Sequence, residues 1–173
     1  MMKARQTGFT LVELMVTVLV LVIVLAFAFP QFQRLSAQNR TAAAVNDLIS
    51  ALQFARSQAV TRAVPVSVCA KKATADTCDT SAQYDWDNGW LVFEDPDGDG
   101  SLDTGETVLR IGKVDARADL TASASSLTFL ASGAASAARN IQVDIASDTE
   151  DHQVRCARVG PSGQIRKTNS ACS

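Results

Sequence analysis

The stretch TGFTLVELMVTVLVLVIVLAFAFP, residues 7–30, decides how the rest of the chain is read. Between Phe9 and Phe29 the only charged residue is Glu13, and from Leu14 to Phe29 there is none. As an α-helix, residues 9–29 reach about 32 Å at 1.5 Å per residue, enough to cross a hydrocarbon core of roughly 30 Å. Lys3 and Arg5 are the only positive charges ahead of this run. The positive-inside rule therefore holds the short N-terminus in the cytoplasm and sends residues 31–173 across the membrane. Within such a span Glu13 needs a reason. A carboxylate in hydrocarbon carries a desolvation cost of several kcal/mol unless it is paired, and an ionisable group at membrane depth marks a functional position by default.

Outward from the span, the chain is 173 residues long, 47% hydrophobic and of formal net charge −2, sized for one globular domain plus an appendage. That charge balance singles out no partner. Its four cysteines, Cys69, Cys78, Cys156 and Cys172, all lie beyond the span. An even number confined to the exported part suits an oxidising compartment. A removable secretory signal would share the basic start, the apolar run and a small-x-small site at Ala26-Phe27-Ala28. Against it stand Glu13 and an uncharged run slightly longer than such signals use.

Past the span the helical pattern continues. Val45, Leu48, Ile49, Leu52, Ala55 and Ala59 recur at three- and four-residue steps, with Arg40, Asp47, Arg56 and Arg62 off that stripe. No glycine falls between Thr10 and Pro65, and Pro65 enforces an end. The pattern predicts one long helix over about residues 9–62, loosened at Pro30, which has no amide to donate. After Pro65 short β-rich runs follow: 66–69, 90–93, 107–111, 127–130, 141–145, 154–159 and 164–167, with Gly, Asp, Ser and Asn clusters between them. Residues 115–138, rich in Ala and Ser, read as loop or weak strand. The expected class is α+β, a long helix packed by its apolar stripe on an antiparallel sheet or β-sandwich.

Gly8-Phe9-Thr10-Leu11-Val12-Glu13, after a short basic leader and before an apolar helix, resembles the processing site of type IV prepilins and type II secretion pseudopilins. The resemblance implies cleavage by a prepilin peptidase after Gly8, N-methylation of Phe9, and retention of the helix on the mature protein. It also implies a physical role for Glu13: its carboxylate pairs with the α-amine that cleavage creates at Phe9 of a neighbouring subunit, so that stacking satisfies both charges. Segments 54–62, 66–69, 89–93 and 106–110 are similar to minor pilins of the FimT and FimU kind and to the minor pseudopilin GspH. The implied organisation is a leader at 1–8, a membrane and filament-core helix at 9–29, an amphipathic helix at 30–62 and a β-rich periplasmic domain at 63–173. The implied function is that of a minor pilin at or near the tip of a type IV pilus, helping to initiate assembly. A DNA-binding tip subunit in natural transformation and a minor pseudopilin of type II secretion are the alternatives. The partners that follow are other minor pilins, the major pilin, the peptidase and the inner membrane, which the protein spans once before it reaches the cell surface in a pilus.

The four cysteines permit three pairings; the short-range one, Cys69 with Cys78 and Cys156 with Cys172, closes modest loops and ties down strand ends. Residues 95–106 fit a twelve-residue calcium loop, with oxygen ligands available from Asp95, Asp97, Asp99, Ser101, Asp103 and Glu106 and a glycine at the sixth position. The flanks are strands rather than helices, and Asp, Gly and Ser also build plain turns. Calcium is thus one expectation for this loop and a solvated turn the other. Arg155, Arg158, Arg166 and Lys167 make the last 22 residues basic. In DNA-binding minor pilins a C-terminal Gly-Arg-x-Arg stretch contributes; the matching positions here read Gly163-Gln164-Ile165-Arg166, without the first arginine. Such cations neutralise phosphates in a salt-dependent way, and a basic hairpin rim is the alternative. Enzyme signatures are lacking: no Gly-x-Ser-x-Gly, no His-Glu-x-x-His, no phosphate loop, and a single histidine, His152. The expected protein is a peptidase substrate and not an enzyme.

Overall fold

The computed structural model describes residues 10–80, 85–114, 118–137, 139–145 and 154–172. Gly8, Phe9 and His152 lie outside the described residues. The chain divides into two compact units, Met1–Ser36 and Ala37–Ser173.

The first unit is helical wherever it is described. Helix α1 (Leu11–Arg62) begins directly after Thr10 and continues through Pro30, so the missing proline amide does not interrupt the helical run. Every side chain from Thr10 to Phe29 is exposed, and Leu11–Phe29 is long and apolar enough to cross a membrane. Apart from Glu13 and Thr17 these nineteen residues are apolar, and each large side chain among them left in water forgoes about 1.5–3 kcal/mol. The one hydroxyl inside the span is satisfied locally, Thr17 Oγ1 donating to the Leu14 carbonyl at 2.8 Å.

In the second unit the expected stripe forms the buried face of α1: Val45, Leu48, Leu52, Ala55 and Ala59 are fully buried, Ala51 joins them, and Ile49 is half-buried at the edge of the core. The helix stops where Ala63 adopts a left-handed backbone (φ 55°), two residues before Pro65. Eight strands follow, β1 (Val66–Ala70), β2 (Trp90–Glu94), β3 (Val108–Gly112), β4 (Ala118–Ala122), β5 (Ser126–Phe129), β6 (Arg139–Ile145), β7 (Arg155–Val159) and β8 (Ile165–Thr168). They form two antiparallel four-stranded sheets, ordered β3-β2-β1-β5 and β4-β6-β7-β8. The fold is thus α+β, with a pair of sheets. Strand β4 lies in the segment that reads as loop or weak strand, and β5 coincides with the run expected at 127–130 to within one residue.

One core joins the helix to both sheets. Val66, Val68, Ala70, Trp90, Val92, Leu127 and Phe129 from the first sheet and Leu120, Ala157 and Val159 from the second pack with the α1 stripe and Trp86. Alternation in β1 and β2 sends Cys69, Leu91 and Phe93 to the opposite face of the first sheet. There a second cluster forms with Cys78 and Leu102, so two loops cover that face. Arg56 of α1 ties the ends of the two sheets together: its Nε donates to the Gly133 carbonyl (2.9 Å) and its terminal nitrogen to that of Ser162 (3.2 Å). The approach needs a glycine at 163, where φ is +74° and a Cβ would sit 1.9 Å from the Gly133 oxygen.

Candidate functional site

At the membrane end, the helix start is built by Thr10. Its hydroxyl accepts the Glu13 amide at 3.2 Å, and its carbonyl accepts the Leu14 amide at 3.2 Å. Thr10 is therefore the N-cap, and it satisfies one of the donors that any helix N-terminus leaves open. Thr-x-x-Glu is also the spacing of a capping box, in which the glutamate would return a bond to the Thr10 amide. That reciprocal bond is not formed: among the described residues the Glu13 carboxylate is exposed and has no partner. The acid stands on an apolar helix face, free to meet a group from outside the chain.

Both disulfides are short-range. Cys69–Cys78 has its Cα atoms 5.6 Å apart and Cys156–Cys172 has them 5.2 Å apart. The first closes the loop that helps cover the outer face of the first sheet, and the second fastens the C-terminal tail to β7.

The acidic loop is organised around Asp95, which is fully buried. Its Oδ1 accepts the Gly98 amide (2.8 Å), and its Oδ2 accepts the Gly100 amide (3.0 Å) and the Ser67 hydroxyl. Ser67 in turn shares a hydrogen bond with Thr128 Oγ1 (2.7 Å). Above this buried triad Leu102 packs on Phe93 and Leu91. Of the six expected calcium ligands, the fold brings together three, Asp95, Asp97 and Asp99, with carboxylate oxygens within 4.8 Å of one another. Asp99 accepts the Ser101 amide at 2.7 Å, and Glu106 is turned to the Asp103 amide at 2.8 Å. Partial burial pushes the Glu106 carboxyl above its ordinary value, opposed by that amide and reinforced by the charges of Asp95, Asp97 and Asp103. Calcium takes six to eight oxygens; three carboxylates converge here, and Asp95 and Asp99 also accept amides of the loop itself.

The four C-terminal cations are divided between two faces. Arg158 stands directly opposite Arg166 on the outer side of the β7–β8 pair, where like charges facing each other are mildly unfavourable. Lys167 points the other way and donates to Asn46 of α1 at 3.1 Å, beside Ile165, which packs on the core. Arg155 alternates with buried Ala157 and Val159 and so belongs to the inner side as well. Summed along the sequence these residues make a patch; folded, two of them share each face.

The turn leading to Gly89 carries an acid pair, Asp85 and Asp87, that the fold uses structurally. Asp85 Oδ1 accepts the Asp87 amide (2.7 Å) and Asp87 Oδ1 accepts the Leu120 amide (2.6 Å), while the Trp86 amide donates to the Leu120 carbonyl (2.8 Å). The turn is thereby stitched to β4. Asp87 is pushed up to about 6, mainly by partial burial, against the lowering effect of the Leu120 amide and with the charges of Asp85 and Asp119 adding to the rise. A carboxyl raised in the fold favours folding below its unfolded value, and that contribution is lost as pH climbs through about 6. Asp87→Asn, which keeps the acceptor for Leu120, is expected to melt above the wild type at pH 7. Because Asp87 stays in contact with solvent, the gain is about 1 kcal/mol or less. Melting curves at pH 7 and pH 5 check this, with the difference between the two proteins shrinking at pH 5.

Comparison with known proteins completes the description. The family model described as "Type II transport protein GspH" matches residues 44–163, and that described as "Prokaryotic N-terminal methylation motif" matches residues 3–29. No curated protein matches. Among solved structures the chain is similar to the type IV minor pilin FimU of Pseudomonas aeruginosa PAO1. In one crystal form the identity is 22% and the TM-score 0.53, covering 73% of this chain and 91% of that one. In a second form the values are 24% and 0.54, covering 74% and 87%. The minor pseudopilin EpsH from the type 2 secretion system of Vibrio cholerae aligns at 11% identity and a TM-score of 0.48 over 75% of this chain and 97% of that one. The likeness to FimU concerns the fold: a long N-terminal helix with an antiparallel β domain. With a methylation motif at its head and the family model spanning the helix stripe and nearly all of the strands, the chain belongs to the GspH family of minor pilins and pseudopilins.

Proposed function

We propose that this chain is a minor pilin of a type IV pilus, placed at or near the tip, where it helps to start assembly with other minor pilins and the major pilin. The observation that carries this reading is the unpartnered Glu13 carboxylate on the exposed apolar start of α1. In hydrocarbon such a group favours any packing that supplies a cation, and a neighbour's Phe9 amine, freed by a prepilin peptidase at Gly8, is a cation at the right depth. Until assembly the chain is held by its single span in the inner membrane with the β domain in the periplasm. The role is structural, with no reaction of its own.

The second reading, a minor pseudopilin of type II secretion, is favoured by the description of the matched family. A deletion strain separates the two: loss of surface pili with exoprotein export intact supports the pilus, and the reverse supports secretion. Contact with DNA is less well served, because Arg158 and Arg166 share one face of the β7–β8 pair while Lys167 and Arg155 lie on the other, where Lys167 bonds to Asn46. A gel shift at low salt is expected to show no retardation of duplex DNA by the β domain.

A further inference from the structure

We infer that the groove between the C-terminal half of α1 and strand β8 is a docking site for an extended acidic segment of a partner polypeptide, held by Arg56 and by the open edge of the second sheet. This site is independent of Glu13 and of its role in assembly. Gln53, Arg56, Ser57, Val60 and Thr61 stand at three- and four-residue steps on one face of α1 and form one wall. Gln164 and Ile165, where β8 begins, form the other. The groove holds about 620 Å³, a volume in the range of sites that enclose ligands. Its helical wall runs about 12 Å at 1.5 Å per residue, the length of roughly four residues of strand. No carboxylate lines it, yet the half-buried Arg56 does. The guanidinium donates to the Gly133 and Ser162 carbonyls, both neutral. Its remaining N–H groups have no acceptor, and its charge no counter-charge, among the described residues. A cation partly withdrawn from water favours a carboxylate in the space beside it. Two further features select a peptide over a small anion. Val60 is 54% exposed, the most exposed large apolar residue described in the second unit, and with Ile165 it gives the groove an apolar stretch. Strand β8 is the last of its sheet, so one row of its backbone groups is without a strand partner among the described residues. An extended chain laid along it exchanges main-chain hydrogen bonds with β8, sets one side chain on Val60 and brings a carboxylate to Arg56.

The test uses the full-length chain in detergent micelles and short, end-capped, fluorescently labelled peptides of alternating valine and threonine with the central position varied. Three are compared by anisotropy: one with a central glutamate, one with glutamine there, and the glutamate peptide with alternate backbone nitrogens methylated. The glutamate peptide is expected to bind, and the other two about tenfold more weakly or worse, since one lacks the charge and the other cannot pair with β8. Val60→Asp changes an exposed residue outside the core. It is expected to weaken the glutamate peptide by a similar factor while melting like the wild type. Acetate and duplex DNA at matched concentration are expected to leave the peptide bound. Absence of binding by the glutamate peptide overturns the inference. Equal binding of the glutamine or methylated peptide, unchanged binding to Val60→Asp, or displacement by acetate or by DNA overturns it as well.

Discussion

Asp95→Ala is expected to cost the β domain about 3–5 kcal/mol, since three donors lose their acceptor and each buried donor left unsatisfied costs about 1–3 kcal/mol, and to lower its melting temperature by on the order of 10 °C or more. The substitution leaves the amides of Gly98 and Gly100 and the Ser67 hydroxyl without their acceptor in a site that excludes water. It also releases the loop whose Leu102 roofs Leu91 and Phe93. Asp95→Asn retains one oxygen acceptor and turns the other into a donor facing donors, so an intermediate loss is expected. Thermal denaturation of a soluble fragment beginning near Ala37, where the second compact unit starts, measures both. The same experiment separates the two expectations for residues 95–106. If the carboxylates serve the loop's backbone, millimolar calcium leaves the melting curve of the wild type where it is; a calcium-dependent rise reversed by a chelator contradicts that role.

Glu13→Ala is expected to leave membrane insertion unchanged and to reduce recovery in filaments by at least tenfold. Insertion depends on the apolar run from Leu14 to Phe29, which the substitution only makes more apolar. Assembly is different, because a neighbour's α-amine buried at that depth without its carboxylate carries a penalty of several kcal/mol, and each 1.4 kcal/mol is a factor of ten. Glu13→Asp keeps the charge on a side chain shorter by one methylene and should recover part of the loss. Quantitative immunoblotting of membrane and filament fractions is the measurement.

Much of this architecture can be read before folding because its signals are local. The helix announces itself through a 3.6-residue period and the absence of glycine, and its end through Pro65; the left-handed Ala63 that completes the stop has no signature of its own. Most strands show β-branched runs. Strand β4 does not: in Ala118-Asp119-Leu120-Thr121-Ala122 only Leu120 is a large apolar residue, and the strand exists because β6, distant in sequence, pairs with it from Ala118↔Ile145 to Ala122↔Ile141. The acidic loop has the opposite difficulty. Its alternating aspartates spell a cation site locally, whereas the burial of Asp95 is set by Ser67 and Thr128, which no local pattern links to it. The basic C-terminal residues add up along the sequence, yet period-two alternation distributes them over two faces, a consequence visible only once β7 and β8 are in register. Arg56 reads as a surface residue beside a stripe, and only the folded chain brings the Gly133 and Ser162 carbonyls within its reach.

At the membrane end the sequence signal and the structure coincide most closely, in a helix that starts after Thr10 and carries one unpaired acid on an otherwise apolar surface. The direct test is intact-mass and N-terminal analysis of the protein extracted from membranes, with and without an active prepilin peptidase. The account predicts a mature chain beginning at N-methylated Phe9 with its span intact, and an untrimmed chain when the peptidase is inactive. A soluble protein beginning beyond Ala28, the same in both strains, would contradict it.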